Sequence, residues 1–100
     1  MTGPGSSLVI SPTEGGLSLS GEIDAHTAPR VADALAGTGS TVVDVDMSGV
    51  EFVDSSGLRV LVEAHQRLET SGGALRLVDA SPAVKRLLQI SGIDGYLRVD

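Results

Sequence analysis

The hydrophobic period of this chain switches between two and about 3.6 residues, and the switch is sharpest in the middle. Thr41 to Met47 alternates Val43, Val45 and Met47 against Val42, Asp44 and Asp46, the period of a strand with one better-buried face. From about Ser55 to Thr70, Leu58, Leu61, Val62, His65 and Leu68 recur at helical spacing, while Arg59, Glu63, Gln66, Arg67 and Glu69 take the outer face. Glu63 and Arg67 stand at i and i+4 with the acid first, the orientation that adds a few tenths of a kcal/mol (~0.2–0.5) to a helix. A strand followed by a strong amphipathic helix calls for a sheet layer covered by helices.

The flanking segments continue the theme. Leu8 to Ser11, the turn signal Pro12 to Gly16, and Leu17 to Ser20 read as an antiparallel hairpin. A short helix follows, with Thr27 as cap, Pro29 in the first turn and Val31, Ala34 and Leu35 facing inward; Gly37 and Gly39 stop it. Gly72 and Gly73 end the long helix and lead into a strand over Ala74 to Val78. Ser81 and Pro82 cap and open a third helix with Val84, Leu87, Leu88 and Ser91 as its inner stripe, closed by Gly92, and Tyr96 to Val99 makes a last strand. The order is β-β-α-β-α-β-α-β. Right-handed crossovers wind such units into one mostly parallel α/β sheet, with the leading hairpin supplying an antiparallel strand.

At 100 residues the chain has room for one domain, expected over residues 8–100 with 1–7 as a flexible Gly/Ser/Pro-rich tail. Only Phe52 and Tyr96 are aromatic, which leaves base stacking little to use. The net charge of −6 repels phosphate backbones and anionic lipid, so nucleic acid and membrane surfaces are poor partners and a basic protein is a better one. Cysteine is absent, which removes disulfides, thiol chemistry and sulfur metal sites. With neither a leader nor an apolar run of spanning length in the sequence, the expectation is a cytoplasmic protein.

Sites in an open parallel sheet gather at the carboxyl ends of its strands. Three loops share that rim: Gly21-Glu22-Ile23-Asp24, Ser48 to Asp54, and Asp79-Ala80-Ser81. The most informative is Asp54-Ser55-Ser56-Gly57, where a polar cluster opens the long helix. A plain helix cap accounts for it, since Asp, Ser and Gly serve the unpaired amides of a first turn. The same free amides stabilise an anion by roughly 0.3–1 kcal/mol, so the fold would also tolerate a phosphoserine there.

Taken together, Asp54-Ser55-Ser56-Gly57-Leu58, Gly21-Glu22-Ile23-Asp24 upstream and Ser81-Pro82-Ala83-Val84-Lys85-Arg86-Leu87 downstream resemble the STAS domain of bacterial anti-sigma factor antagonists, from Leu8 to Val99. The resemblance implies a STAS-like sheet with helices packed mainly on one face, and a binding module instead of an enzyme. It implies phosphorylation of the serine after the aspartate, Ser55, with its neighbour Ser56 as the alternative, by an anti-sigma factor that is itself a serine kinase. Phosphorylation would end binding, a PP2C-type serine phosphatase would restore it, and sigma-factor-dependent transcription in stress response or sporulation would follow. Partner contacts are expected from Asp24, Asp54, Ser55, Ser56 and Gly57, with Asp24 beside the serine; as a simpler account, Asp24 is a turn aspartate satisfying local amides. Members commonly continue into a further helix after the last strand, so contacts made there are expected to be missing. A monomer or weak dimer is expected.

Two other readings use the same residues. A sensory or scaffold STAS domain would bind partners without a kinase cycle. An acidic acyl-carrier-type protein would use the Asp-Ser pair for a prosthetic arm, but such carriers are helical bundles, against the strand patterns at Leu17, Val43 and Leu75. No catalytic residue, cofactor or metal is expected. His65 falls on the inner stripe of the long helix as a hydrogen-bonded core imidazole, no second histidine stands at i+4, and Asp44 and Asp46 read as a solvated strand face. Gly3-Pro4-Gly5-Ser6-Ser7 lacks the lysine of a phosphate loop, and no Gly-x-Ser-x-Gly elbow surrounds Ser55.

Overall fold

A computed structural model describes residues 7–95 and 98–99. Its elements are β1 (Leu8–Thr13), β2 (Gly16–Ile23), α1 (Ala28–Ala36), β3 (Val42–Val53), α2 (Ser55–Glu69), β4 (Ala74–Val78), α3 (Pro82–Ile90), a 3-10 turn at Ile93–Gly95, and β5 (Arg98–Val99). The strands form one sheet in the order β1-β2-β3-β4-β5, with β1 antiparallel to β2 and every other pair parallel. This is the expected mixed α/β arrangement. Tyr96 and Leu97, where the sequence pattern begins the last strand, lie outside the described residues.

Because each parallel crossover steps the same way across the sheet, right-handed connections put α1, α2 and α3 on one face. Burial follows that geometry. Val43, Val45, Met47, Leu75 and Leu77 point into the helix layer and are fully buried, as are Val31, Leu61, Val84 and Leu88 from the helices. On the opposite face Val42 and Ser48 are exposed and Ser18, Asp44, Asp46 and Arg76 are half-buried.

Several expectations are corrected. The third strand does not end at Met47 but runs on to Val53, so Ser48 to Val53 is strand and not loop. Two register irregularities against β2 explain why the pattern hid this: Ser18 pairs with Asp46 but Ser20 with Gly49, and Gly21 pairs with Val50 but Glu22 with Phe52. Each inserts an extra residue into β3 and resets the alternation, so the buried positions fall at Met47, then Val50, then Val53. β2 likewise reaches Ile23. Gly21 bends the strand at φ 118°, and a Cβ there would stand 2.2 Å from the Ser7 carbonyl oxygen, a conformation and a closeness open to glycine. Ser91 is exposed, its hydroxyl donating to the Leu87 carbonyl instead of joining the inner stripe. Among the described residues Glu63 and Arg67 form no ion pair.

His65 takes the expected core role. It is 7% exposed; Nδ1 accepts from the Leu75 N–H at 3.1 Å, and Nε2 lies 3.5 Å from Glu69 Oε2. An imidazole that accepts through Nδ1 carries its proton on Nε2, toward that carboxylate.

Asp44 is more than solvated surface. It faces Arg76 across β3 and β4, with Arg76 Nε donating to Oδ1 at 2.6 Å and Nη2 to Oδ2 at 2.8 Å. This fork holds the Asp44 carboxyl below its ordinary value of 3.8. A pKa lowered by folding adds stability that is complete above the unfolded value and is lost as pH falls through the folded one. Asp44→Asn is therefore expected to cost about 0.5–1 kcal/mol near neutral pH, as for a partly exposed pair, and nothing once pH is well below about 4. Urea denaturation of both chains across that range checks it; a penalty independent of pH would count against the ion pair. Asp46 is held low in the same direction by the Ser48 N–H, 2.9 Å from its Oδ1.

Candidate functional site

β2 and β3 end side by side. Ile23 pairs with Val53, and the Asp54 N–H donates to the Ile23 carbonyl at 3.0 Å. Asp24 and Asp54, thirty residues apart, thus leave the sheet at the same level of its carboxyl rim. Each then organises the start of the helix that follows it.

Asp54 has extended backbone and is the N-cap of α2. Its Oδ1 accepts from the Ser56 N–H at 2.9 Å and the Gly57 N–H at 3.1 Å, which serves two of the donors that a first turn leaves unpaired. Those amides are therefore occupied, and the expectation that they stand free for an anion is corrected. Asp24 plays the matching part before α1: its Oδ1 accepts from the His26 N–H at 2.9 Å and the Thr27 N–H at 3.0 Å. Thr27, expected as a side-chain cap, makes no such bond. Its hydroxyl donates back to the Glu22 carbonyl at 2.9 Å and accepts from the Asp24 N–H at 2.9 Å, tying the loop to the strand end.

Gly57 is buried, and it sets how close α2 comes to the sheet. A Cβ there would lie 2.6 Å from Ile23 Cγ2 and 3.0 Å from Val53 Cγ1, below van der Waals contact. With Asp54 turned to the amides and Gly57 turned to the sheet, helical geometry sends Ser55 outward. Ser55 is exposed and Ser56 is half-buried. Among the described residues no side chain hydrogen-bonds to Ser55, and both histidines are otherwise placed: His65 on Leu75 and Glu69, His26 exposed with its amide on Asp24.

Two open clefts meet at this serine. One, of about 370 Å³, lies between the start of α1 and that of α2 and is lined by Ala25, Ala28, Pro29, Ser56 and Val60 in addition to Ser55 and Arg59. The other, of about 470 Å³, runs along α2 toward Ser91 and Ile93, past Leu58, Val62, Glu63 and Gln66. Ser55 and Arg59 line both, and they form the ridge between them. The sequence pattern puts Arg59 only on the outer helix face; its spacing of four from Ser55 is the signal that could have drawn it into the site. Among the described residues no group of three or more His, Asp or Glu is gathered to hold a metal ion, and no helix is long and apolar enough to cross a membrane. Chemically, the ridge offers an exposed hydroxyl that no side chain among the described residues holds.

Residues 6–99 match the family profile described as "Mlab, STAS domain". The chain is 34% identical over 84 residues to an anti-sigma-B factor antagonist of Listeria monocytogenes, covering 81% of this chain and 74% of that protein. It is 33% identical over 79 residues to an anti-sigma F factor antagonist of Paenibacillus polymyxa, covering 75% and 68%. Among solved structures it resembles an anti-sigma factor antagonist from Mycobacterium paratuberculosis with a TM-score of 0.79 at 28% identity, over 99% of this chain and 89% of the other.

Proposed function

The chain belongs to the STAS domain family, and on that premise we propose that it is an anti-sigma factor antagonist with no enzymatic activity of its own. Unphosphorylated, it binds an anti-sigma factor that is also a serine kinase, and phosphorylation of Ser55 releases it. A PP2C-type serine phosphatase restores the binding form. Sigma-factor-dependent transcription, in a stress or sporulation programme, follows the exchange of partners in the cytoplasm.

The observation that carries this reading is the setting of Ser55: exposed on the first turn of α2, on a ridge between two clefts, with its hydroxyl held by no side chain among the described residues. In the transfer, Ser55 Oγ bonds to the γ-phosphorus of ATP held by the kinase, the bond from that phosphorus to the bridging oxygen of ADP breaks, and the hydroxyl proton passes to a base of the kinase. The product carries about −1.5 to −2 charges next to Asp54. An anion buried against an unprepared surface costs several kcal/mol, and each ~1.4 kcal/mol is tenfold in affinity, so one transfer is enough to dissolve a complex.

The test begins with the anti-sigma kinase recovered by co-purification. With ATP, the chain is expected to gain one phosphoryl group by intact mass, mapped to Ser55, and to lose affinity for the kinase by calorimetry. An active kinase that binds the chain and leaves it unmodified would reduce the assignment to a scaffold role.

A further inference from the structure

We infer that Arg59 is the counter-charge for phosphorylated Ser55, so that phosphorylation adds an anion to the binding ridge and withdraws a cation from it in the same step. The inference rests on the reading of Ser55 as the modified residue and concerns what happens to the phosphoryl group afterwards.

Ser55 and Arg59 stand at i and i+4 of α2, where side chains are neighbours about 5–6 Å apart at Cβ, and the anion would be N-terminal to the cation, the favourable order. Both are exposed, and no other described residue lines both of the clefts that meet at the serine. Of the seven basic residues, only Arg59 lines either cleft; Arg30 donates to the Leu8 carbonyl and Arg76 is forked on Asp44. Arg59 itself has no ion pair or hydrogen bond among the described residues. Glu63, one turn further on, competes for it only in the weaker order, base before acid.

Two of the amides at the helix start are already used. The amides of Ser56 and Gly57, which would otherwise meet an anion at a helix start, are held by Asp54 Oδ1. A phosphoryl group on Ser55 therefore sits beside a carboxylate with those donors unavailable, and the guanidinium one turn along is the group that offers it a planar fork of N–H donors. Before transfer the ridge presents a hydroxyl and an open positive charge. After it, the two charges face each other along the helix, and the cation is no longer offered to a partner.

Phosphoserine installed at position 55 during translation of the full chain makes the test independent of any kinase. The second ionisation of the phosphate, followed by phosphorus NMR, is expected about half a pH unit lower in the otherwise wild-type chain than in Arg59→Gln, since a nearby cation favours the dianion. Arg59→Lys should recover part of the shift, and about 1 M salt should shrink it. Circular dichroism checks that each variant is folded. Equal ionisation in the wild-type and Arg59→Gln backgrounds would overturn the pairing, even if a kinase modifies Ser55. A kinase that ignores Ser55 would instead sink the proposed function, and the titration would still decide the pairing.

Discussion

Ser55→Ala, presented with the proposed anti-sigma kinase and ATP, is expected to take up no phosphate above background, whereas Ser56→Ala is labelled at the wild-type rate. The two hydroxyls are adjacent in sequence and chemically alike, so the difference between them is one of access. Ser55 is exposed at the crest of the ridge, and Ser56 is half-buried and faces the cleft toward α1. In-line transfer needs the acceptor oxygen about 3–3.5 Å from phosphorus in another protein's site, which favours the more exposed hydroxyl. Ser55→Asp should also weaken the complex by about tenfold or more with an unchanged melting temperature, although it carries less charge than a phosphoryl group. Labelling of Ser55→Ala at the normal rate would move the site to Ser56.

Gly57→Ala is expected to lower stability by about 1–2 kcal/mol, within the ~1–3 kcal/mol range of overpacked sites. Two effects oppose each other here. Alanine is the better helix former by about 1 kcal/mol, which alone would stabilise. Against it, the new methyl would stand 2.6 Å from Ile23 Cγ2 and 3.0 Å from Val53 Cγ1. Both neighbours are β-branched and buried, Ile23 completely, so neither can step aside without strain. The helix start must lift instead, carrying Ser55 with it, and weaker partner binding should accompany the loss. The checks are a urea midpoint that falls with the slope unchanged and a calorimetric titration; a midpoint at or above wild type would mean that the contact yields.

Much of this was legible in the residues. The Val43-Val45-Met47 alternation and the helical stripe through Leu61 and His65 located a strand and the long helix, and Ser81-Pro82 marked the start of α3, where the Ser81 hydroxyl accepts from the Val84 N–H. Local patterns of this kind read well because each residue reports its own side of one element. What stayed hidden depends on residues far apart. The extension of β3 to Val53 was masked by two extra residues that shift its phase, and these are defined only by pairing with β2. The Asp54-Ser55-Ser56-Gly57 run read as a cap or as an anion seat. The structure shows the carboxylate already on the amides and the glycine pressed on Ile23, a partner thirty-four residues earlier in the chain. Asp44 offered no sign of Arg76, because parallel register is set by the crossover and not by either strand alone.

The long helix is fastened twice. Gly57 seats its beginning against Ile23 and Val53, and further along the His65 imidazole accepts a hydrogen bond from the Leu75 N–H at the start of β4. A rod clamped at two points gives no leverage for tilting, so news of a chemical change at its tip would not travel through the body of the protein. In the proposed exchange of partners, such a change would be read by direct contact at that tip.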